Sequence, residues 1–289
     1  MSAKFLALSF DQLRSWHQDG YVLVKRAVPR ELLVAARDAV WTFLEMDPTR
    51  DEDWYDSTIR EKSGIDDKGR IPFYHDQALW DCRQYPTIHA AFSDLYQTTD
   101  LLVSLDRVNM NPPWREDWNY DGFIHWDVDV GTPRRFQVSM QGVLSLSDVE
   151  PGAGGFQCVK GFQHQIDGWL ARQPLGYEKR FPDTAGMIVS DIPMEAGDFL
   201  IWNELLPHGN TRNRSKAPRL AQYITMFPAK WISDDEREKR LNSFCENTAP
   251  TSPNGKPLPG SPKEPLRKGN IKLSQLGRQL LGYRNHSND

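Results

Sequence analysis

His125-Trp126-Asp127 sets an imidazole and a carboxylate two residues apart. On a strand, residues i and i+2 project from the same face. His125 and Asp127 would then enter one space together, and Trp126 would point the other way, into packing. A second imidazole from elsewhere would complete a face of two histidines and one carboxylate. Such a face fills three positions of an octahedral metal and leaves three open, which suits non-haem Fe(II) and O₂ chemistry. The tripeptide alone is weak evidence, because His-x-Asp arises by chance. Pro207-His208-Gly209 offers the second imidazole, a few residues beyond the turn Gly197-Asp198 and the apolar run Phe199–Trp202. Arg219 opens the next strand after Pro218. A metal has no need of an arginine, but the planar guanidinium pairs bidentately with a carboxylate. Arg219 is therefore either one half of a structural ion pair or the holder of a carboxylate-bearing cosubstrate.

Elements of two kinds must position these groups. Ser9-Phe-Asp-Gln12 has the form of a capping box opening a short helix that Gly20 ends, and Tyr21–Val24 reads as a strand. Pro29 and Pro86 open two further helices with apolar residues at helical spacing. Residues 47–70 are polar and turn-rich and read as a loop. From about residue 101 the pattern turns to strands: Leu101–Asn111, Phe123–Asp129, Phe136–Leu146, Phe156–Lys160, Met187–Ser190, Phe199–Trp202 and Arg219–Phe227. Short strands separated by Gly and Pro turns predict an all-β barrel or jelly roll with the helices outside it. Residues 234–240 read as a solvated helix start, and Leu273–Leu281 as a small docking helix. Six prolines between Pro250 and Pro265 indicate an extended arm. The chain reads as one domain over 1–289: a helical buttress (about 1–100), a β core (about 101–230) and a Pro-rich arm (about 249–289).

Composition narrows the classes. With 35 Lys+Arg against 39 Asp+Glu, the net charge of −4 argues against a generic nucleic-acid binder. Three scattered cysteines with no C-x-x-C exclude a disulfide scaffold and suit a reducing, cytoplasmic setting. The sequence contains no membrane-spanning run, and its first residues are too weakly apolar for a signal peptide. Ten tryptophans fit a lined pocket as well as a core.

The ordered set of motifs resembles the phytanoyl-CoA dioxygenase-like branch of the Fe(II)/2-oxoglutarate oxygenases. It runs from Asp19-Gly-Tyr-Val-Leu-Val24 through the His-x-Asp strand and Gly154-Gly-Phe-Gln-Cys-Val-Lys-Gly-Phe-Gln-His164 to His208, with Arg219 eleven residues later. The His-to-Arg interval is the most specific part. The resemblance implies a double-stranded β-helix, that is, a mainly β jelly roll of cupin type with flanking helices. It implies iron ligands His125, Asp127 and His208, and Arg219 on the distal carboxylate of 2-oxoglutarate. Asn210 matches a position where the family often has a Ser or Thr assisting that carboxylate, and Gln141 matches loosely a position lining the cosubstrate. The turn ending at His164 departs from the family's Gly-Ser-His, and His164 reads as a turn residue. Asp127 stands where halogenase relatives carry a small residue, which implies an oxygenase.

The implied reaction couples decarboxylation of 2-oxoglutarate, with O₂, to oxidation of a C–H bond in a small organic molecule, most simply hydroxylation. A metal-dependent cupin without 2-oxoglutarate and a non-catalytic binding barrel are the rival readings. For the substrate the candidates are Arg107, Asn109, Trp114 and Trp118. Arg107, Asn109 and Asn111 share a face by period two, and the two tryptophans lie in a loop that serves either as a lid or as packing on the barrel. His75 is expected at the surface or in a cap, and His17 and His89 in structural or exposed positions on helices.

Overall fold

Helix α1 (Phe10–Asp19) begins where Ser9 and Gln12 close a capping box, and Gly20 ends it in the left-handed conformation. Strand β1 (Tyr21–Val24) follows directly. The computed structural model describes residues 7–127, 139–251, 258–260 and 270–284. Two buttress helices fall where the apolar spacing predicts, α2 (Arg30–Leu44) and, after three intervening helices, α6 (Pro86–Tyr96).

The stretch read as a loop is partly helical. It holds α3 (Asp51–Tyr55) and α4 (Ser57–Ser63) before the short strand β2 (Arg70–Ile71). Asp56 caps α4 by accepting from the Thr58 and Ile59 amides, and buried Trp54 anchors α3. One apolar anchor in a polar run is too sparse for a periodic signal. Helix α5 (Gln77–Arg83), capped by Asp76, was not anticipated from sequence.

Two long expected strands are each broken. Leu101–Asn111 becomes β3 (Leu101–Val103) and β4 (Val108–Asn111), and Arg219–Phe227 becomes β10 (Arg219–Tyr223) and β11 (Met226–Pro228). The breaks face each other: the Ser104 amide donates to the Thr225 carbonyl at 2.7 Å, and the Thr225 amide to Ser104 Oγ at 3.0 Å. Both chains therefore leave the main sheet together. The other strands are β5 (Met140–Ser145), β6 (Phe156–Val159), β7 (Val189–Asp191), β8 (Phe199–Asn203) and β9 (His208–Asn210). Through Asp127 the expected strand Phe123–Asp129 is only a pair of isolated bridges, Gly122 to Thr211 and His125 to His208. Residues 128–138, where that strand ends and another was expected to begin, and most of the Pro-rich arm lie outside the described residues.

The sheets are antiparallel. A six-stranded sheet runs β1-β8-β5-β10-β4-β2, a three-stranded sheet β7-β6-β9, and β11 pairs with β3. Period two divides the six-stranded sheet into two faces. Val22, Met110, Leu144, Phe199, Ile201 and Leu220 join the α2, α5 and α6 side chains in one core. Val143, Leu200, Trp202 and Ala221 pack against Phe156 and Cys158 of the three-stranded sheet in a second. Burying each large side chain contributes about 1.5–3 kcal/mol, so either face alone would hold the sheet in register.

Helix α8 (Asp234–Glu246) starts at a Ser233–Glu236 capping box, and α9 (Gln275–Leu281) docks beside β3 through Leu280 and Leu281. His75 lies beneath α8 with 2% exposure, not at the surface, and its Nε2 faces the Thr248 carbonyl at 3.1 Å and Ser243 Oγ at 3.3 Å. Residues 72–76 pass under the C-terminal helix, a long-range packing with no local signature. Among the described residues no helix is long and apolar enough to cross a membrane.

Candidate metal centre

His125 and His208 are an antiparallel cross-strand pair. Each amide donates to the other's carbonyl, at 2.8 Å and 3.0 Å, so the backbone itself fixes the two imidazoles side by side, with ring centroids 4.8 Å apart. This approach needs Gly209, where a Cβ would stand 1.8 Å from the Phe123 carbonyl oxygen. Trp126 points away, as period two requires. It is 1% exposed, donates from Nε1 to the Leu205 carbonyl at 2.8 Å and packs on Phe162 and Trp169. The inert residue of the tripeptide thus anchors the two reactive ones.

Asp127 completes the group. Its carboxylate lies 3.3 Å from His125 Nε2 and 3.6 Å from His208 Nε2. One ligand atom from each of the three falls within 4.8 Å of the others, a spacing that could hold a metal ion. His208 Nδ1 faces the Leu206 carbonyl at 2.8 Å. That contact puts a proton on Nδ1 and leaves the Nε2 lone pair for a metal. Burial would push the Asp127 carboxyl up, but hydrogen bonds to and the charges of His125 and His208 outweigh burial and hold it well below the usual carboxylate range. The donor set, two imidazoles and one carboxylate, fits a ferrous ion with open positions.

Arg219 is 3% exposed and sits at the start of β10, in register with Asn111. Nη1 donates to Asn109 Oδ1 at 2.9 Å, and Nε is buried without a partner. Among the described residues it makes no ion pair, so the structural-ion-pair reading finds no support there. A buried guanidinium with free donors fits a carboxylate-bearing cosubstrate. Tyr120 lies within the electrostatic reach of Arg219 and Tyr223, and burial raises its phenol. Asn210 is on β9, two residues from His208, and its carbonyl accepts from Gln157 Nε2 at 2.9 Å.

Other expected residues are placed differently. Gln141 reaches Asp127, with Nε2 3.0 Å from Oδ2, so it stands beside the metal group. Asn109 accepts from Arg219 and donates to the Lys68 carbonyl, which ties it to the Arg219 end of the group. Arg107 precedes β4 and turns to Asp106 at 3.3 Å. Trp118 is 3% exposed, donates to Asn111 Oδ1 at 3.2 Å and lies under the Arg60 guanidinium; this is packing, not a lid. Trp114 is half-buried with the Arg212 guanidinium over its ring at 4.6 Å. Three residues at the mouth escaped the sequence reading. Arg180 Nη2 comes within 3.7 Å of Asp127, while the Phe123 ring lies tilted against His125 and meets Phe181 edge to face. An arginine in a polar loop carries no linear signal, and neither does a phenylalanine two residues before a ligand.

Comparison with known proteins agrees with this geometry. Residues 16–221 match the phytanoyl-CoA dioxygenase (PhyH) family. A Dictyostelium discoideum protein described as a candidate phytanoyl-CoA dioxygenase is 26% identical over 279 residues, covering 80% of this chain and 74% of its own. The Ava biosynthesis cluster protein O of Aspergillus versicolor is 22% identical over 252 residues, covering 79% of this chain and 81% of its own. The fold is similar to that of the epimerase SnoN in complex with Fe³⁺, α-ketoglutarate and nogalamycin RO, with a TM-score of 0.56, 16% identity, and coverage of 92% of this chain and 96% of SnoN. The chain therefore belongs to the phytanoyl-CoA dioxygenase family and is a non-haem iron, 2-oxoglutarate-dependent oxygenase.

Proposed function

We propose that His125, Asp127 and His208 ligate Fe(II), that Arg219 holds the distal carboxylate of 2-oxoglutarate, and that the enzyme hydroxylates a C–H bond of a small organic molecule. The observation that carries this reading is the cluster of three ligand residues, supported by a buried arginine that no carboxylate of the described residues neutralises and that shares Tyr120 with Asn210, two residues from His208. The sheet order and the two cores support reading the facing sheets as one double-stranded β-helix within a single domain.

Iron with 2-oxoglutarate and O₂ supplies the oxidising power when bound. The chain's own residues supply position and charge. The His125–His208 backbone pair sets the spacing of two ligands, and the Leu206 carbonyl keeps the His208 Nδ1 proton in place. Gln141 holds one Asp127 oxygen and so orients the carboxylate. Asn109 fixes the Arg219 fork, and Asn210 and Tyr120 line the same end. Phe156 and Trp202 back the His208 ring and keep water from that side. No side chain needs to act as a general base for this chemistry.

Hydroxylation is the simplest outcome of this class. Epimerisation, the reaction named for SnoN, uses the same site type and is the alternative that product analysis separates. The test is anaerobic addition of Fe(II) and 2-oxoglutarate to the apoprotein. A weak visible charge-transfer band that is lost in Asp127→Ala supports the assignment. Bound iron without the band overturns it in favour of a cupin that does not use 2-oxoglutarate.

A further inference from the structure

We propose that the primary substrate is an apolar, ring-bearing molecule with a carboxylate group, bound by Lys68 and Arg180 across an aromatic wall beside the metal centre. This rests on the oxygenase reading above and adds the substrate's charge and shape. The wall is Phe123 and Phe181. The Phe123 ring lies 4.8 Å from the His125 ring and 6.0 Å from Phe181, so a molecule resting on it is one ring away from a metal ligand. Phe181 is 48% exposed, a large apolar face at a mouth that opens beside half-exposed Asp127. Exposed aromatic surface next to a reaction centre suits a flat or cyclic substrate body.

Both edges of this wall are cationic. Lys68 Nζ stands 5.0 Å from the Phe123 centroid. Its turn is held firmly: Asp66 Oδ1 accepts from the Lys68 and Arg70 amides, and the Lys68 carbonyl accepts from Asn109 Nδ2. Gly69, at φ +74°, brings the turn so close to β4 that a Cβ would stand 2.2 Å from the Met110 carbonyl oxygen. A flexible stem on a fixed turn over an aromatic ring is a built position. Lys68 nevertheless makes no ion pair among the described residues. At the opposite edge, the Arg180 guanidinium lies 5.8 Å from the Phe181 centroid and 3.7 Å from Asp127. Once Asp127 serves a metal, its charge no longer balances Arg180. The neighbouring carboxylate Asp121 is already paired with Arg212, and Asp66 with Arg70. The mouth thus keeps two positive groups around an apolar floor, and an aromatic or polycyclic carboxylate complements both. One ammonium and one guanidinium on either side of a ring pair match a monoanion better than a phosphate cluster, which calls for several converging donors.

The test titrates the protein, held anaerobically with Fe(II) and 2-oxoglutarate so that Arg219 is occupied, with naphthylacetate, its neutral amide, naphthylethylamine and naphthyl phosphate, by calorimetry. The acid is expected to bind about tenfold tighter than the amide, the worth of a charge-assisted hydrogen bond, and the amine weakest. Lys68→Gln should cut the acid's preference over the amide to about threefold, the share left to Arg180, and Lys68→Glu should make the amine the tightest ligand. Arg180→Gln should weaken the acid about threefold, in keeping with its greater exposure. Unchanged thermal unfolding of each variant shows that the fold is intact. Equal binding of acid and amide, a preference for the phosphate, no binding by any probe, or an acid preference undiminished by Lys68→Gln would each overturn the proposal. The charge-transfer band recorded on the same samples separates the two readings. A missing band sinks the oxygenase assignment whatever the probes do, and a band without charge preference sinks only this inference.

Discussion

The six-stranded sheet has a buried guanidinium on either side, and the two are satisfied in opposite ways. On the helix side, Arg83 of α5 is fully buried and donates from both Nη groups to main-chain carbonyls, to Tyr74 at 2.5 Å and to Asp106 at 2.7 Å. On the site side, among the described residues Arg219 donates from a single Nη, to the Asn109 side-chain oxygen at 2.9 Å, and to no main-chain carbonyl. Main-chain carbonyls are always present, so the fold itself solvates the Arg83 charge. On the proposed reading, Arg219 takes its carboxylate partner from the cosubstrate. Two carboxylates, one buried and one partly exposed, repeat the contrast. Asp198 accepts from Lys25 Nζ at 2.7 Å, the Glu195 amide at 2.8 Å and the Arg26 amide at 3.1 Å, all of them local or structural donors. Asp127 faces two imidazoles that have metal-ligand geometry. Burial of charge does not mark function; the kind of partner does.

Exchanging the members of each pair breaks or sharpens this contrast. The largest effect is expected at Asp127. Asp127→Ala should lower iron affinity by more than about a hundredfold, since even outer residues of metal sites are worth 10–100-fold, and should abolish succinate formation. Asp198→Ala should keep the iron and lose about 3 kcal/mol of stability. Iron retention on dialysis together with urea unfolding reads both, and an Asp127→Ala protein that keeps its iron would dissolve the comparison. Next come the arginines. Arg219→Ala should raise the KM for 2-oxoglutarate about a hundredfold with little change in the urea midpoint, as expected for loss of a bidentate, charge-assisted pair. Arg83→Ala should do the reverse, costing about 3 kcal/mol with the KM unmoved. Similar KM values in the two variants would mean that Arg219 is a structural residue. Smaller again is Gln141→Leu. Losing one hydrogen bond to Asp127 should weaken iron binding about tenfold and leave the KM for 2-oxoglutarate nearly unchanged. A raised KM with unchanged iron affinity would restore Gln141 to the cosubstrate wall.

How much of this was legible in the sequence depended on whether the signal was local. The capping box at Ser9, the spacing in α2 and α6 and the apolar run of β8 are local, and they mark the elements found. His-x-Asp, the later His208 and the interval to Arg219 identified residues that the fold brings to one end of the facing sheets. The rest depends on tertiary contact. Strand breaks at Ser104 and Thr225 exist because the two positions face each other, which neither segment shows alone. His125 lies in an isolated bridge because, among the described residues, its backbone partner is His208 and no neighbouring ladder. Trp118, read as a lid or as packing, is settled by Asn111 and Arg60, far from it in type and pattern. Arg180 and Lys68 reach the mouth from loops, where side-chain direction has no period to follow.

The last contrast is between histidines. His125 and His208 gather with Asp127 in one cluster, but His75 is closed in under α8, and burial together with the Arg83 charge lowers its pKa from 6.5 to about 3, against the raising effect of the Thr248 carbonyl. In the unfolded chain the same imidazole takes up its proton at the ordinary value, so between these limits the unfolded state binds more protons than the folded one. Stability from this site is therefore fully present above about pH 6.5 and is lost as the pH falls toward 3, with a slope of about 1.4 kcal/mol per pH unit at its steepest. His75→Gln keeps a donor for the Thr248 carbonyl without a group that titrates here. It should flatten the dependence of the urea midpoint on pH between 6 and 4, at a small constant cost in stability, and it should leave the affinity for iron untouched. Because Ser243 and Thr248 close over the ring, acid should free the α8 region before the sheets, which amide exchange would show as early loss of protection in Asp234–Glu246. An unchanged slope in His75→Gln would place the acid sensitivity elsewhere, and simultaneous exchange of α8 and β8 would mean that the helix side and the site side unfold as one unit.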